Sequence, residues 1–404
     1  MAKIKIFKYV SMLVLGTIFM LLITGTGLWA TPLPRVQPPG HQVHIPDELT
    51  LLWKYEVGCG LPRPAVVDGK VYFGVEPRYQ KGGYCQKFNT NFYCLAADTG
   101  DVLWVYQCGG SVLSYPCVVN NKVYFGCRDN KLYCLTANTG EVVWTYKTGD
   151  HIWTTPFVID NKVYFGSLDC FLYCLTADTG EVVWTYETGR KVVSSPVVTE
   201  YVYCGSGDNT VYCINRNTGE VVWTYTTEAP VGSSPFISDN SLYIGSSDRH
   251  VYCITADTGE MVWTYKAEGR IGASSPVGFN KRIYFGDTHG FLYCVNADTG
   301  DVIWVYDTGD QGASPPVVVG NNVYIGSNDG CLHCLKKDTG DVIWVHQSDG
   351  RMMSYALDNN IYVGCSRGHI CCYEIARTPY TTYIVAAVLV VGVILFIVAQ
   401  YKKV

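Results

Sequence analysis

Charged side chains are scarce in this sequence. Aspartate, glutamate, lysine and arginine make up 16% of the 404 residues, whereas hydrophobic residues make up 48%. Basic residues are the scarcer kind: once the five lysines near the two ends are set aside, residues 31–380 hold 35 acidic and 25 basic side chains, a net charge of −10. Binding to a nucleic acid backbone requires a basic surface. The composition therefore argues against nucleic acid as a partner.

Motifs of the common catalytic and metal sites are also missing. The sequence contains no HExxH, no GxSxG and no glycine-rich phosphate loop. His151, His250, His289 and His369 are scattered and show no ligand spacing such as HxxxH. The sequence accordingly predicts no catalytic residue, no metal site and no bound cofactor.

Two long apolar runs lie at the ends of the chain. Residues 1–30 have a basic start and then an apolar stretch, which is typical of a signal peptide or a signal anchor. Residues 383–399 form a second run, flanked by tyrosines and by Lys402 and Lys403, which predicts a transmembrane helix with a cytoplasmic tail at 400–404; a buried core helix is the alternative. The proline-rich segment 31–47 and the segment 376–382 are interpreted as linkers. Because both apolar runs direct the chain to the membrane, the body between the linkers is expected at the cell membrane, outside the cytoplasm.

The body between the linkers is repetitive. Tryptophans recur at intervals of 39 to 41 residues after a first interval of 51, at positions 53, 104, 144, 184, 223, 263, 304 and 344. Each unit carries stretches such as "KVYFG" and "EVVWTY", whose period of two predicts strands. Four short strands in each unit of about 40 residues describe the blade of a β-propeller. Residues 48–375 are therefore predicted to form an all-β, eight-bladed propeller of four-stranded blades.

The ring is predicted to close by pairing the two ends of the repeat. The last unit ends after "HICCYEI" without a tryptophan strand, whereas "ELTLLWKYE" at 48–56 is a tryptophan strand with no unit before it. The N-terminal strand thus supplies the tryptophan strand that the last unit lacks. We expect the N-terminal strand to be the outer strand of the last blade, which removes an exposed sheet edge.

The repeat resembles that of the PQQ-repeat β-propellers, a family that includes quinoprotein alcohol dehydrogenases and the BamB type of outer-membrane assembly lipoprotein. Its motif, roughly Ala-x-Asp-x-x-Thr-Gly-x-x-x-Trp, keeps the Thr-Gly and the tryptophan in seven units, as in Thr179, Gly180 and Trp184. The alanine position instead holds a cysteine in all seven units, and the aspartate position holds Ala, Thr, Asn or Lys. Any contact that the family aspartate makes must be replaced or lost.

The 18 cysteines fall into two groups. Eight share one register of the repeat, and neighbouring blades lie too far apart for them to form disulfides with one another; they are interpreted as small buried thiols. The irregular Cys85 is predicted to form a disulfide with Cys59 or Cys108 outside the cytoplasm, with free thiols as the alternative. Quinoprotein dehydrogenases carry an adjacent-cysteine disulfide over the cofactor, but Cys371 and Cys372 lie within a strand, where their side chains point to opposite faces.

Asp129, Asp169, Asp208, Asp248 and Asp329 recur in a polar turn and are interpreted as turn caps, with a calcium-binding rim as the alternative.

Residues specific to one blade are the candidates for function, because repetition explains the rest. The candidate partner-binding face, made by the loops on one side of the ring, consists of Arg63, Trp153, Arg190, Arg249, His250, Arg270, His289, Arg351 and Arg367.

Two functions remain open at this point. The favoured one is a membrane-anchored, extracytoplasmic, non-catalytic module that binds an envelope or surface protein, as the likeness to BamB implies. The alternative, implied by the same resemblance, is a quinoprotein oxidoreductase that uses PQQ with calcium. Quinoprotein enzymes have large insertions between blades, whereas seven of the eight units here are bare repeats.

Overall fold

A computed structural model describes residues 35–36, 49–58, 60–76, 89–272, 274–309, 312, 314–348, 350, 352–357 and 360–375. Within these ranges all regular structure is β-strand. No helix in them is long and apolar enough to cross a membrane. The predicted signal segment 1–30, the linker 376–382, the transmembrane segment 383–399 and the tail 400–404 lie outside the described residues.

The strands fall into eight sheets. Blade one comprises β3–β6, each later blade up to the seventh comprises the next four strands, and blade eight comprises β31, β32, β33 and β2. In chain order the strands are β1 (Arg35–Val36), β2 (Leu49–Glu56), β3 (Leu61–Val67), β4 (Lys70–Glu76), β5 (Asn91–Ala96), β6 (Val102–Gln107), β7 (Cys117–Val119), β8 (Lys122–Gly126), β9 (Lys131–Thr136), β10 (Val142–Lys147), β11 (Phe157–Ile159), β12 (Lys162–Gly166), β13 (Phe171–Thr176), β14 (Val182–Glu187), β15 (Val197–Val198), β16 (Tyr201–Gly205) and β17 (Thr210–Asn215). They continue as β18 (Val221–Thr226), β19 (Phe236–Ser238), β20 (Ser241–Gly245), β21 (His250–Thr255), β22 (Met261–Lys266), β23 (Val277–Phe279), β24 (Arg282–Gly286), β25 (Phe291–Asn296), β26 (Val302–Asp307), β27 (Val317–Val319), β28 (Asn322–Gly326), β29 (Cys331–Lys336), β30 (Val342–Gln347), β31 (Met352–Leu357), β32 (Asn360–Cys365) and β33 (His369–Ile375).

Burial differs between the strands of a blade. The third strand, such as β13, is buried on both faces because it packs between the two neighbouring blades. The fourth strand, such as β14, buries its tryptophan and exposes most of its other residues. First strands of successive blades contact one another, as β3 does with β7 and with β31, so they form the inner ring. The eight-bladed, all-β propeller predicted from the sequence is confirmed.

The ring closes where the sequence predicts. Strand β2 pairs antiparallel with β33, from Leu49 opposite Ile375 to Glu56 opposite His369. The two ends of the propeller therefore lie side by side on the outer edge of blade eight. Sheet edges attract unwanted strands, and this pairing completes the last blade.

One feature of the N-terminal linker differs from the prediction. Arg35 and Val36 form the short strand β1, which pairs in parallel with Val305 and Tyr306 of β26 and makes blade six five-stranded. Val305 and Tyr306 are correspondingly buried, whereas the matching residues of the fourth strands in blades one to five are more exposed. A two-residue strand in a proline-rich stretch carries no alternation of polar and apolar residues, which is why the sequence did not reveal it.

The tryptophan of each blade binds the next blade. The Trp144 indole Nε1 donates to the carbonyl oxygen of Ala177 at 3.0 Å, and the Tyr124 hydroxyl donates to the same oxygen at 3.1 Å. The ring of Trp144 lies against Gly180, where an added Cβ would come within 2.7 Å of Trp144 Cδ2. The same indole bond recurs in seven blades, at Trp53–Ala97, Trp104–Ala137, Trp144–Ala177, Trp184–Arg216, Trp223–Ala256, Trp263–Ala297 and Trp304–Lys337.

The eight cysteines of the common register are buried, as predicted, and none of them forms a disulfide within the described residues. Each has a relative exposure of 0% or 1%; they are Cys94, Cys134, Cys174, Cys213, Cys253, Cys294, Cys334 and Cys372. Burial raises the pKa of the Cys174 thiol to about 11, so this thiol stays protonated at neutral pH. These sites serve packing rather than thiol chemistry.

Replacing Gly180 by alanine tests the contact between blades. Both Gly180 and Gly69 have positive φ, 74° and 69°, but a Cβ at Gly69 meets nothing within 4 Å. Gly69→Ala should cost about 1–2 kcal/mol for the left-handed backbone alone. Gly180→Ala should cost a further 1–3 kcal/mol, roughly, because its methyl group overpacks against Trp144. Urea unfolding of both variants measures the difference, and equal losses would show that the tryptophan contact is not tight.

Substitutions at Cys174 test the packing of the thiol register. Cys174→Ala is a small-for-small core change and should lower the free energy of unfolding by about 1 kcal/mol or less. Cys174→Leu should lower it by about 1–3 kcal/mol, because the larger side chain has no space between the blades. Denaturant unfolding measures both; equal tolerance of leucine would contradict the packing seen here.

Candidate functional site

Two sets of loops make up one face of the ring, here called the loop face. One set comprises the leading loops, which precede the first strand of each blade, and the other comprises the turns between second and third strands. Backbone bonds join the two sets within a blade, as from Leu168 N to His151 O at 2.9 Å and from Thr288 N to Arg270 O at 3.0 Å. The opposite face, here called the turn face, carries the hairpins between first and second strands and the Thr-Gly turns.

The structure brings most of the predicted candidates together on the loop face. Arg351, Cys59 and Cys85 lie outside the described residues. Of the others, Trp153, Arg190 and Arg270 lie in leading loops, and Arg249, His250, His289 and Arg367 lie in or beside turns between second and third strands. Arg63 differs, because it lies within the inner strand β3, where its guanidinium stacks 5.4 Å from the ring centre of Tyr115.

The recurring aspartates hold the loop face together. Asp208 Oδ2 accepts hydrogen bonds from Gly189 N at 2.6 Å and from the Tyr212 hydroxyl at 2.7 Å, and its Oδ1 accepts one from Thr210 N at 2.9 Å. Burial, together with the bond to Asp208, raises the pKa of Tyr212, so the hydroxyl remains a donor. The turn-capping interpretation is confirmed for Asp129, Asp169, Asp208 and Asp248. It is also confirmed for Asp329, whose Oδ1 accepts a hydrogen bond from Cys331 N at 2.8 Å.

Blade six performs the same capping from a different position. Asp287 stands where blades three, four, five and seven have a serine, and it accepts bonds from Gly269 N, His289 N, Phe291 N and the Tyr293 hydroxyl. Asp287 was not predicted from the sequence, because the recurring aspartates lie two residues later in the repeat. The shift places His289, exposed to solvent, where blades two to five and blade seven have the capping carboxylate.

Exposed cations concentrate on the loop face of blades four to six. Arg190, Lys191, Arg249 and Arg270 are all exposed, and they outnumber the exposed glutamates in the leading loops of these blades, Glu228 and Glu268. Within the described ranges none of the four cations forms an ion pair. The capping carboxylates beneath are occupied by backbone N–H and tyrosine O–H groups. Among the exposed side chains of these loops, cations therefore exceed glutamates by four to two, while the capping carboxylates beneath them keep their negative charge.

Arg249 occupies a backbone position that suits few side chains. Its φ is 78°, in the left-handed region. The equivalent position is Asn130, Asn209 and Gly290 in blades two, four and six, residues that tolerate this conformation, and Cys170 in blade three, with a φ of 76°. An arginine there carries backbone strain, and strain of this kind clusters at functional sites.

The irregular cysteines are only partly covered by the structure. Cys108 is a buried free thiol, and its hydrogen bond with Cys127, together with burial, raises its pKa. The predicted disulfide of Cys85 with Cys59 or Cys108 stays a prediction. Cys371 packs among residues of blade seven such as Trp344, whereas Cys372 packs with residues of blade one. Neither forms a disulfide within the described residues, and their side chains point to opposite faces of β33, as the sequence indicated.

Blade seven contains a cluster that the sequence analysis did not identify. One donor atom each of Asp329, Cys331 and His333 lies within 4.8 Å of the others. His333 replaces the tyrosine that caps the aspartate in blades two to six, and burial lowers its pKa to about 4. The available signal was this break in the repeat, a histidine four residues after the aspartate.

Comparisons with known proteins agree with this architecture. The family described as the beta-propeller of the beta-alanine-activating enzyme matches residues 76–274, a little under half of the chain. No curated protein matches the sequence. Among solved structures, BamB from Moraxella catarrhalis superimposes with a TM-score of 0.68 at 18% identity, over 82% of this chain and 99% of that one. The chain folds as a BamB-like β-propeller.

A designed protein shares the same architecture. The computationally designed Ika8 protein superimposes on this BamB-like propeller with a TM-score of 0.70 at 16% identity, over 81% of this chain and 99% of that one. At such identities the likeness concerns the fold. Function must therefore be inferred from the side chains of the loop face.

Removing one capping carboxylate should loosen the loop face locally. Asp208→Ala deletes three hydrogen bonds to a charged acceptor and should lower the free energy of unfolding by about 2–3 kcal/mol. Amide exchange at Gly189 and Thr210 should become faster, as measured by hydrogen–deuterium exchange. Asp257→Ala, an exposed aspartate on the turn face, is the control and should change neither quantity. Unchanged exchange in Asp208→Ala would show that the backbone alone holds the loops.

Proposed function

We propose that this chain is a non-catalytic scaffold of the cell envelope whose loop face binds an acidic segment of another envelope protein. The observation that carries the proposal is the group of exposed, unpaired cations Arg190, Lys191, Arg249 and Arg270 on an otherwise acidic body. Clustered charge of one sign guides association with a partner of the opposite sign. The resemblance to the BamB type of assembly lipoprotein supports a partner in the envelope.

The strain at Arg249 supports the same proposal. Asparagine or glycine at this position would relieve the backbone, as both do in neighbouring blades. A long cationic side chain that replaces them contributes charge on the loop face at the expense of stability. Cys170 has the same strain in blade three, so the strain supports a binding role only together with the charge and exposure of Arg249.

The positions of the chain ends support an orientation. Leu49 and Ile375 are paired at the end of blade eight that carries the turn face. If residues 383–399 anchor the chain in the membrane, as the sequence predicts, the seven residues of 376–382 span about 25 Å at most. The turn face then lies next to the membrane, and the cationic loop face points away from it towards partners.

A glycine substitution separates binding from stability. Arg249→Gly should raise the free energy of unfolding by up to about 1 kcal/mol, because it relieves the left-handed backbone. The same variant should reduce partner capture about three- to tenfold, the effect of losing one rim cation. Capture is measured by chemical cross-linking in native membranes and quantitative mass spectrometry.

Cys170→Gly is the matched control. Cys170 occupies the same left-handed position in blade three, with a φ of 76°. This substitution should stabilise the fold to a similar extent and leave capture unchanged. Equal capture by Arg249→Gly and the unchanged protein would contradict the proposal. So would stoichiometric PQQ binding with calcium and dye-linked alcohol oxidation, which would support the oxidoreductase alternative.

A further inference from the structure

Blade seven lacks a hydrogen bond that blades two to six share. In blades two to six a tyrosine of the third strand donates its hydroxyl hydrogen to the capping carboxylate, at Tyr133–Asp129, Tyr173–Asp169, Tyr212–Asp208, Tyr252–Asp248 and Tyr293–Asp287. In blade seven this tyrosine is replaced by His333, and Cys331 lies two residues before it. The blade thus exchanges a phenol for an imidazole and adds a thiol.

The three side chains share one side of the sheet. Cys331 and His333 alternate along β29 and so point to the same face, and Asp329 lies in the turn just before the strand. One donor atom from each lies within 4.8 Å of the other two. Ligands 2.0–2.3 Å from a tetrahedral zinc ion are about 3.3–3.8 Å apart, which falls within this limit. Asp329 is exposed, so the cluster is open to solvent on one side.

The imidazole of His333 is held in the manner of a metal ligand. Its relative exposure is 2%, and its Nδ1 lies 2.9 Å from the Tyr306 hydroxyl. Its Nε2 is buried and has no hydrogen-bond partner within the described ranges. Buried polar atoms are rarely left unsatisfied, and ligating histidines usually fix their second nitrogen in a hydrogen bond. Tyr306 is fully buried in the edge of blade six that β1 covers.

We propose that Asp329, Cys331 and His333 bind a zinc-class divalent cation, with a fourth position open to solvent. A carboxylate, a thiolate and an imidazole are ligands that suit zinc and neighbouring transition metals. Calcium and magnesium, which take oxygen ligands, do not fit this set. The Cys331 thiol now donates to Gln347 Oε1 at 2.9 Å. On binding, its sulfur forms the metal bond and its proton passes to solvent.

Cobalt titration tests the site directly. The full chain, freed of metal and kept reduced with a phosphine, is titrated with Co²⁺. One equivalent should produce a sulfur-to-cobalt charge-transfer band in the near ultraviolet and visible d–d bands of low coordination number. Zn²⁺ should abolish these bands by displacing the cobalt. Absence of the charge-transfer band would overturn the proposal.

Two substitutions identify the ligands while leaving the other thiols in place. His333→Tyr restores the residue of blades two to six and should weaken Co²⁺ binding by at least about tenfold, since it removes a ligand. Cys331→Ser should remove the charge-transfer band whether or not oxygen coordination persists. Retention of the full spectrum by either variant would overturn the assignment.

Two further variants separate this site from general thiol binding. Tyr306→Phe keeps all three ligands but releases the His333 ring, and should weaken binding about 10- to 100-fold with the band shape unchanged. Cys170→Ser removes a partly exposed thiol of blade three and should leave the titration unchanged. Loss of the band in Cys170→Ser, with wild-type affinity in Tyr306→Phe, would place the cobalt elsewhere.

Discussion

The ring depends on the contact between the tryptophan of each blade and the next blade. The indole both packs against a glycine of the neighbouring blade and donates to a carbonyl oxygen there, so one side chain fixes the distance and the angle between two sheets. Any side chain larger than hydrogen at Gly180 would push the blades apart. The glycine of each Thr-Gly turn thus contacts the tryptophan of the preceding unit, as Gly180 contacts Trp144. The repeated motif therefore records contacts between neighbouring units.

This arrangement divides the molecule into a constrained face and a variable one. On the turn face, carbonyl oxygens and glycines are committed to tryptophan and tyrosine side chains of the preceding blade. On the loop face, the carboxylate cap fixes the backbone but leaves neighbouring side chains free to vary, as Arg190 beside Gly189 shows. Differences between blades therefore collect on the loop face.

Much of the fold could be predicted because its determinants are periodic. Strand alternation and the missing halves at residues 48–56 and 369–375 were sufficient to predict the blades and the pairing of β2 with β33. The features that escaped prediction are single events: the two-residue strand β1, the shifted cap Asp287, and the cluster around His333. Each depends on a contact between residues distant in sequence or on one substitution within a repeat. A close comparison of the repeats with one another would have exposed the last two.

The pairing of β2 with β33 has a consequence for synthesis. Strand β2 is made before the first blade, yet its partner appears only after nearly the whole propeller has been translated. Contacts so distant in sequence form late, because the intervening chain must be ordered before they can be made. The seven blades between them can assemble while the chain emerges, but a chain released early keeps an unpaired edge. Only a completed chain can therefore close blade eight. An interrupted chain, which cannot, stays exposed to aggregation or to proteases.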